Sequence, residues 1–138
     1  MIKIYTDGSF YGGQSGYGIV YLLDDEPIIE YGKLPAKWNS NQKAELYAIL
    51  QASITLERSE IYQATIYTDS QYSINSLTIW YKKWIKNNYK GICNTGLIIP
   101  ILALLDKIKI NFIWVPGHSG DRYNDMADYW AKKGAKLK

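Results

Sequence analysis

The order of strand and helix patterns along the chain restricts the fold more than any other feature of the sequence. Three apolar–polar alternations come first, joined by short connections rich in Gly and Asp, which is typical of antiparallel strands. Helix and strand patterns alternate after them. The predicted strands are 2–6, 18–23, 28–34, 64–68 and 110–115.

Four helical segments complete the pattern, and they are predicted over 42–57, 73–88 with a break, 95–108 and 123–133. Ser40 or Asn41 can cap the first helix, and Gly134 is expected to end the last one. A strand–helix–strand crossover is normally parallel and right-handed. We therefore predict an α/β fold: a five-stranded mixed sheet, with strands 1–3 as an antiparallel meander and strands 4–5 parallel, flanked by helices.

Length and composition indicate a single globular domain over residues 1–138. Hydrophobic residues make up 47% of the chain and charged residues 21%, close to the average for globular proteins. A single cysteine, Cys93, excludes an internal disulfide framework. A single histidine, His118, excludes a His-rich zinc site.

Nothing in the sequence predicts a membrane segment. The longest apolar run, 97–105, is interrupted by Pro100 and is far shorter than the roughly 20 residues that span a bilayer. The N-terminus enters a strand pattern directly, without the charged and then apolar leader of a signal peptide. We expect a cytoplasmic monomer that does not associate with membranes.

Positive charge is concentrated in one short stretch, residues 80–90, although the whole chain carries a net charge of only +3. The stretch contains four lysines interleaved with aromatic residues. Trp80 and Trp84 have helical spacing and are expected to face the core. The lysines repel one another unless they meet anions, so a polyanionic partner is expected.

Four carboxylates are placed where a metal site could form. Asp7 follows the first predicted strand and Asp69 follows the fourth, so parallel neighbours would bring both to one end of the sheet, where open α/β sheets carry their sites. Glu45 lies in the first turns of a helix, and Asp128 lies on the last helix. Oxygen ligands of this kind suit Mg²⁺ or Mn²⁺.

Each acid also has a purely structural explanation. Asp7 before Gly8 is a common turn pair, Asp69 is a plausible helix N-cap, and Glu45 can favour a helix N-terminus. The acids of the last helix can form a solvated face: Asp121, Asp125 and Asp128. Taken singly, these explanations are at least as good as a functional one, and only the joint arrangement favours a site.

Four sequence blocks together resemble the type 1 ribonuclease H family, in order and over essentially the whole chain. The blocks are YTDGS at 5–9, NQKAEL at 41–46, YTDSQY at 67–72 and GHSG at 117–120, the last followed by Asn124 and Asp128. The resemblance implies a ribonuclease H-like fold. It also implies hydrolysis of the RNA strand of RNA–DNA hybrids by a two-metal-ion mechanism that leaves 5′-phosphate and 3′-hydroxyl ends.

The resemblance further implies two Mg²⁺ ions, or Mn²⁺, held by Asp7, Glu45, Asp69 and Asp128. Asp125 is a rival for the fourth position, but the family register counted from Asn124 selects Asp128. His118 lies in a Pro-Gly-His-Ser-Gly loop. In similar enzymes this histidine assists the chemistry or the release of product.

Substrate contacts are implied in the same way. The family positions that contact ribose 2′-hydroxyls correspond to Asn41, Gln42, Gln71 and the backbone near Gly8, and Ser40 corresponds to a contact with a DNA phosphate. The basic stretch resembles the family's protrusion that grips the DNA strand; its residues are Lys82, Lys83, Lys86, Tyr89 and Lys90.

Three alternatives stay open. The first is a nuclease of the same superfamily that acts on DNA, such as a resolvase or an integrase core; the 2′-hydroxyl set and the basic stretch argue against it. The second is a binding module without catalysis, against which the four acids argue. The third is the ribonuclease H domain of a reverse transcriptase, against which the Met1 start and the intact basic stretch argue.

Overall fold

The computed structural model describes residues 1–138 and contains one five-stranded mixed sheet with the strand order β3-β2-β1-β4-β5. β1 pairs antiparallel with β2, and β2 with β3, whereas β4 pairs parallel with both β1 and β5. The predicted sheet is therefore confirmed. The strands are β1 Ile2–Tyr11, β2 Gln14–Leu23, β3 Glu26–Lys33, β4 Gln63–Thr68 and β5 Lys109–Trp114.

Helices cover both faces of this sheet. α1 and α4 pack together over one face, and α5 packs on the other face against β1, β2 and β3. The break predicted within 73–88 is a π-helical turn between α2 and α3. None of the helices combines the length and the hydrophobicity that a membrane crossing requires. The helical segments are α1 Asn41–Arg58, α2 Gln71–Asn75, the π-helical turn Ser76–Trp80, α3 Tyr81–Lys86, α4 Thr95–Leu105 and α5 Arg122–Ala135.

The first strand is longer than the sequence predicts. The expectation that Asp7 follows the strand, or forms a turn with Gly8, is wrong, because β1 continues through both residues. The reason is that β2 supplies a hydrogen-bonding partner along the whole of β1. β2 also begins before the predicted residue 18, and a two-residue hairpin turn at Gly12 and Gly13 connects it to β1; their φ angles of 59° and 80° suit glycine.

The parallel pairing of β1 with β4 ends earlier than the antiparallel pairing with β2. Its last pair is Tyr5 with Tyr67, and the two strands part beyond it. Asp7 lies just past this point on β1, and Asp69 directly follows β4. The predicted convergence of these two carboxylates therefore holds, although Asp7 reaches it from within a strand.

The last helix is longer than predicted and packs closely on the sheet. The prediction that Gly134 ends it is wrong, because α5 continues to Ala135. A Cβ atom on Gly134 would overlap the backbone of Gly32 in β3. The glycine at this position therefore permits close contact between helix and sheet.

The two tryptophans of the basic stretch do not behave alike. Trp84 packs against the main hydrophobic core, as predicted. The same prediction is wrong for Trp80, which is 40% exposed and has its ring 6.1 Å from that of Tyr72 and 6.0 Å from that of Trp84. The π-helical turn that ends at Trp80 breaks the regular helical spacing on which the prediction depends.

Candidate active site

Three carboxylates meet where β1 and β4 part. Asp7 lies on β1, Asp69 follows β4, and Glu45 comes from the first turns of α1; one carboxylate oxygen from each lies within 4.8 Å of the others. They lie in an open cavity of about 440 Å³. The cavity is lined by Asp7, Gly8, Asn41, Gln42, Glu45, Asp69, Ser70, Gln71, Tyr72, His118 and Asp128.

Asp7 and Glu45 are both buried, and one glycine makes their contact possible. A Cβ atom on Gly8 would overlap the backbone of Ala44 and Glu45, so its absence lets α1 lie directly against β1. The Gly8 N–H donates a hydrogen bond of 2.9 Å to Asp7 Oδ1. Glu45 Oε2 is buried and has no hydrogen-bond partner.

Ser40, one of the two predicted caps, fixes the start of α1. Ser40 is the N-cap, and its hydroxyl accepts a hydrogen bond of 3.1 Å from the Lys43 N–H. The Ser40 carbonyl also accepts from the Ser15 hydroxyl at 3.3 Å. These contacts tie the first turn of α1, and with it Glu45, to the sheet.

Asp69 does not serve as a helix cap. Ser70 caps α2 instead, because its hydroxyl accepts a hydrogen bond of 3.1 Å from the Ser73 N–H. The Trp114 indole N–H donates to the Asp69 carbonyl at 3.2 Å and holds the backbone at the end of β4. The loop after β5 also approaches closely, since a Cβ atom on Gly117 would lie 3.0 Å from Asp69 Oδ2. The Asp69 carboxylate is thus left free for the cavity.

The electrostatics of the cluster are those of like charges in a confined space. Burial raises the pKa of Asp7 to about 7. Burial and the neighbouring Asp7 charge raise the pKa of Glu45 well above its usual value. Burial and the charge of Asp128 raise the pKa of Asp69. Ionised carboxylate oxygens only accept hydrogen bonds, and here they repel one another; Glu45 Oε2 is buried without a donor. Such a set of oxygens fits a hard divalent cation.

The acids of α5 have different environments. Asp121 is the N-cap of the helix and accepts from the Tyr123 and Asn124 N–H groups at 3.1 and 3.0 Å. Asp125 is exposed and does not line the cavity, whereas Asp128 lines it. The solvated-face explanation therefore holds for Asp125 alone.

Asp128 lies outside the group of three acids, although it lines the same cavity. Its carboxylate forms an ion pair of 2.9 Å with Lys132, one helical turn further along α5. The structure therefore brings together three of the four predicted acidic residues and places the fourth at the wall of the cavity. The spacing of Lys132 from Asp128 is a sequence signal from which the pair can be predicted.

His118 lies on the loop that covers Asp69. It is exposed, its φ angle of 56° is unusual for a residue other than glycine, and it lines the cavity. Its charge opposes the rise in the pKa of Asp69. The structure thus places His118 in the same cavity as the acids, and its auxiliary role in the reaction stays a prediction.

The predicted substrate residues fall into two separate groups. Gly8, Asn41, Gln42 and Gln71 line the cavity beside the acids. Ser40 is the N-cap of α1 and does not line the cavity. The members of the basic stretch do not line the cavity; they are Lys82, Lys83, Lys86, Tyr89 and Lys90.

Within the basic stretch, the lysines differ from the tyrosine. All four lysines are exposed, and none forms an ion pair. Tyr89 is half-buried and lines an apolar groove between α3 and α4, together with Tyr81 and Ile85. Its ring therefore contributes to packing at this groove.

Two further residues at the site are not predicted from the sequence. Tyr72 lines the cavity, and it lies within the YTDSQY block that carries the resemblance. Asn94 has a left-handed backbone, with φ 64°, and its amide donates to the Tyr72 hydroxyl at 2.8 Å and to Gln42 Oε1 at 3.5 Å. No sequence pattern predicts the position of Asn94, because it depends on how α4 packs against α1.

Comparison with known proteins identifies the family. The family model for RNase H matches residues 1–136. The chain is 37% identical to a ribonuclease H of Haemophilus influenzae (strain 86-028NP), over 98% of this chain and 90% of that protein. This chain belongs to the ribonuclease H family. It is also 36% identical to a ribonuclease H of Orientia tsutsugamushi (strain Boryong), over 96% of this chain and 81% of that one.

Solved structures show the same ribonuclease H fold. LC9-RNase H1, described as a type 1 RNase H with the type 2 active-site motif, superposes with a TM-score of 0.84 at 20% identity, over 97% of this chain and 71% of that chain. The foamy viral protease-reverse transcriptase in complex with dsDNA gives a TM-score of 0.81 at 25% identity, over 98% and 94% of the two chains. The predicted fold is confirmed by these comparisons.

The raised pKa values predict how the stability of the metal-free protein depends on pH. A carboxyl group whose pKa is higher in the folded state stabilises the fold fully below its unfolded pKa, and this contribution is lost as the pH rises through the folded value. For Asp7 the loss extends from its ordinary value of 3.8 to about 7. The thermal unfolding midpoint in EDTA should therefore fall between about pH 4 and pH 8, and Asp7→Asn should flatten this dependence.

The matched control is Asp125→Asn, because Asp125 is exposed on α5 and should leave the dependence on pH unchanged. Added divalent cation should restore the midpoint at the alkaline end in the unsubstituted protein. A midpoint that rises with pH over this range in EDTA would contradict the prediction.

Proposed function

We propose that this protein hydrolyses the RNA strand of RNA–DNA hybrids, using two Mg²⁺ ions, or Mn²⁺ in their place, held by Asp7, Glu45, Asp69 and Asp128. The observation that carries the proposal is the convergence of the first three carboxylates within 4.8 Å in a chain of the ribonuclease H family. The group of three acids offers only carboxylate oxygens, which suits these cations.

When bound, a pair of such cations supplies an activated water and stabilisation of the leaving oxygen of an in-line displacement. The chain supplies positioning. Asp7 and Glu45 are buried and cannot move far, because Gly8 holds α1 against β1 and donates to Asp7. Asp69 and Asp128 are half-buried and face the open side of the cavity, where a scissile phosphate can enter.

His118 is proposed as an auxiliary residue of the reaction. It lies at the exposed mouth of the cavity on a loop beside Asp69. From there an imidazole can carry a proton to or from the leaving group, or assist the departure of product. The products are a 5′-phosphate and a 3′-hydroxyl end.

Selection of the RNA strand is assigned to the amides beside the acids. Asn41, Gln42 and Gln71 each offer both donors and an acceptor at the wall of the cavity, which the backbone of Gly8 also lines. A ribose 2′-hydroxyl both donates and accepts, and it is the group that distinguishes RNA from DNA. This arrangement favours a hybrid over duplex DNA as the substrate.

Interactions with the DNA strand are assigned to residues outside the cavity. Ser40, at the start of α1, lies beside the amides and is proposed to approach a phosphate. The four lysines on and after α3 are exposed and unpaired, so they are free to bind phosphates. Such interactions add affinity without reading the sequence.

The first test replaces one acid and measures cleavage and binding separately. Asp7→Asn should abolish cleavage of a labelled RNA–DNA hybrid in Mg²⁺, because a cation ligand is removed, while binding of the same hybrid stays measurable. Asp125→Asn is the matched control and should cleave normally. The unsubstituted protein should leave duplex DNA intact. Cleavage of duplex DNA at a similar rate would favour the DNA-acting alternative, and full turnover by Asp7→Asn would contradict the role of Asp7.

A second prediction concerns the fourth ligand. Asp128→Asn should reduce kcat by about 10²–10³, the usual cost of removing one group that stabilises charge in a transition state. Asp125→Asn should have little effect, because Asp125 does not line the cavity. Single-turnover rates on one hybrid, measured for both variants, decide between the two acids. A greater reduction in Asp125→Asn would show that the register is wrong.

The third prediction concerns the basic stretch. Replacing Lys82, Lys83, Lys86 and Lys90 together with Ala should raise KM far more than it lowers kcat, because these charges bind ground state and transition state alike. The slope of log affinity against log salt should become shallower by about one unit for each phosphate that a lysine no longer neutralises. An unchanged KM and slope in the folded variant would exclude this stretch from substrate binding.

A further inference from the structure

A second basic surface lies at one end of the molecule. Three segments, 8–23, 31–44 and 129–138, together contain seven lysines and no Asp or Glu. Their joint charge is +7 in a chain whose net charge is +3, so the remaining residues carry 3 − 7 = −4. One of these lysines, Lys132, pairs with Asp128, so six of them have no ion-pair partner, and all seven lie outside the basic stretch of residues 80–90.

These three segments meet in space. Gly16 of β2 pairs with Lys33 at the end of β3, and the Ser15 carbonyl accepts a hydrogen bond of 2.9 Å from the Leu34 N–H. A Cβ atom on Gly16 would overlap the backbone of Ala135 near the end of α5. The hairpin of β1 and β2, the end of β3 and the end of α5 therefore form one continuous surface.

The central residues of this surface are Tyr11, Lys33, Lys136 and Lys138, which we call the C-terminal lysine surface. All four are exposed, and none of the three lysines forms an ion pair. Lys136 Nζ lies 5.3 Å from the centre of the Tyr11 ring, which is 63% exposed. Tyr11, Lys136 and Lys138 line a shallow cavity of about 310 Å³.

The C-terminal lysine surface lies at a similar distance from the acid cluster along β1 and along α5. Tyr11 lies four residues beyond Asp7 on β1, which is about 13 Å along the strand. Lys136 lies eight residues beyond Asp128, just past the end of α5, which is about 12 Å along the helix. A nucleic acid strand that rises about 3.4 Å per base pair would cover this distance in about four base pairs.

We propose that the C-terminal lysine surface binds the backbone of the hybrid about four base pairs away from the cleavage site. The proposal rests on the proposed function and adds a second anchor, separate from the lysines of α3. Lysine ammonium groups without internal partners suit phosphates. The exposed ring of Tyr11 holds Lys136 in place by a cation–π contact and presents an aromatic face to the strand.

The test measures binding in a background that cannot cleave. In Asp7→Asn protein, the additional pair Lys33→Gln and Lys136→Gln should weaken binding of a long hybrid and make its salt slope shallower by about two units. The matched control pair is Lys3→Gln and Lys109→Gln, two exposed strand lysines that also lack ion pairs. The control pair should leave both quantities unchanged. Fluorescence anisotropy over a range of KCl concentrations gives both.

A short hybrid separates this surface from the acid cluster. On a hybrid that extends less than about four base pairs beyond the cleavage site on either side, the Lys33 and Lys136 variant should bind as tightly as its parent. Equally weakened binding on long and short hybrids would overturn the proposal, and so would equal effects of the two lysine pairs. Equal thermal unfolding midpoints confirm that all variants are folded.

Cleavage by the unsubstituted protein distinguishes failure of this proposal from failure of the proposed function. If that protein cleaves the long hybrid in Mg²⁺ but the Lys33 and Lys136 pair changes nothing, only the second anchor is wrong. If it does not cleave the hybrid at all, the proposed function is wrong, and the anchor is overturned with it.

Discussion

The contact between buried Asp7 and buried Glu45 is the constraint on which the rest of the site depends. Two neighbouring carboxyl groups repel each other when both are ionised, and burial adds a further penalty to the charged forms. The chain nevertheless enforces the contact, because α1 lies against β1 at Gly8, where any side chain would overlap the helix backbone. The free energy that this repulsion costs must come from packing elsewhere.

That packing lies directly beneath the acids. Leu46 and Ile49 of α1 and Ile4 of β1 are fully buried in the main core, one to four residues from the charged pair. Ser40 fixes the start of α1, and its carbonyl is bonded to Ser15 on the sheet. The helix therefore cannot relieve the repulsion by sliding away without exposing its own apolar face. Protonation relieves the repulsion at low pH, as the raised pKa values of both groups show. Above those values a bound cation relieves it, which couples metal binding to the stability of the fold.

Sequence patterns predict the sheet and the group of acids well because both depend on order along the chain. Strand alternation and the position of Asp69 directly after β4 can be read from short stretches of sequence, and the parallel pairing of β1 with β4 brings Asp7 beside Asp69. The errors arise where long-range contacts decide. β1 passes beyond Asp7 because β2 pairs with it, and α5 passes Gly134 because β3 lies beneath it. The ion pair of Asp128 with Lys132 can be predicted from helical spacing, whereas the position of Asn94 cannot, because it depends on the packing of α4.

The separation of the lysines from the acids has an electrostatic consequence. At physiological ionic strength the Debye length is about 8 Å. Lys136 lies about 12 Å from Asp128 along α5, so its charge is largely screened from the acid cluster. Lysines at this distance can attract phosphates without weakening the attraction of the acids for divalent cations. Lys132 is the exception, since it touches Asp128 directly. The molecule can therefore hold a polyanion and concentrate cations on neighbouring surfaces, because solvent ions keep the two sets of charges electrostatically apart.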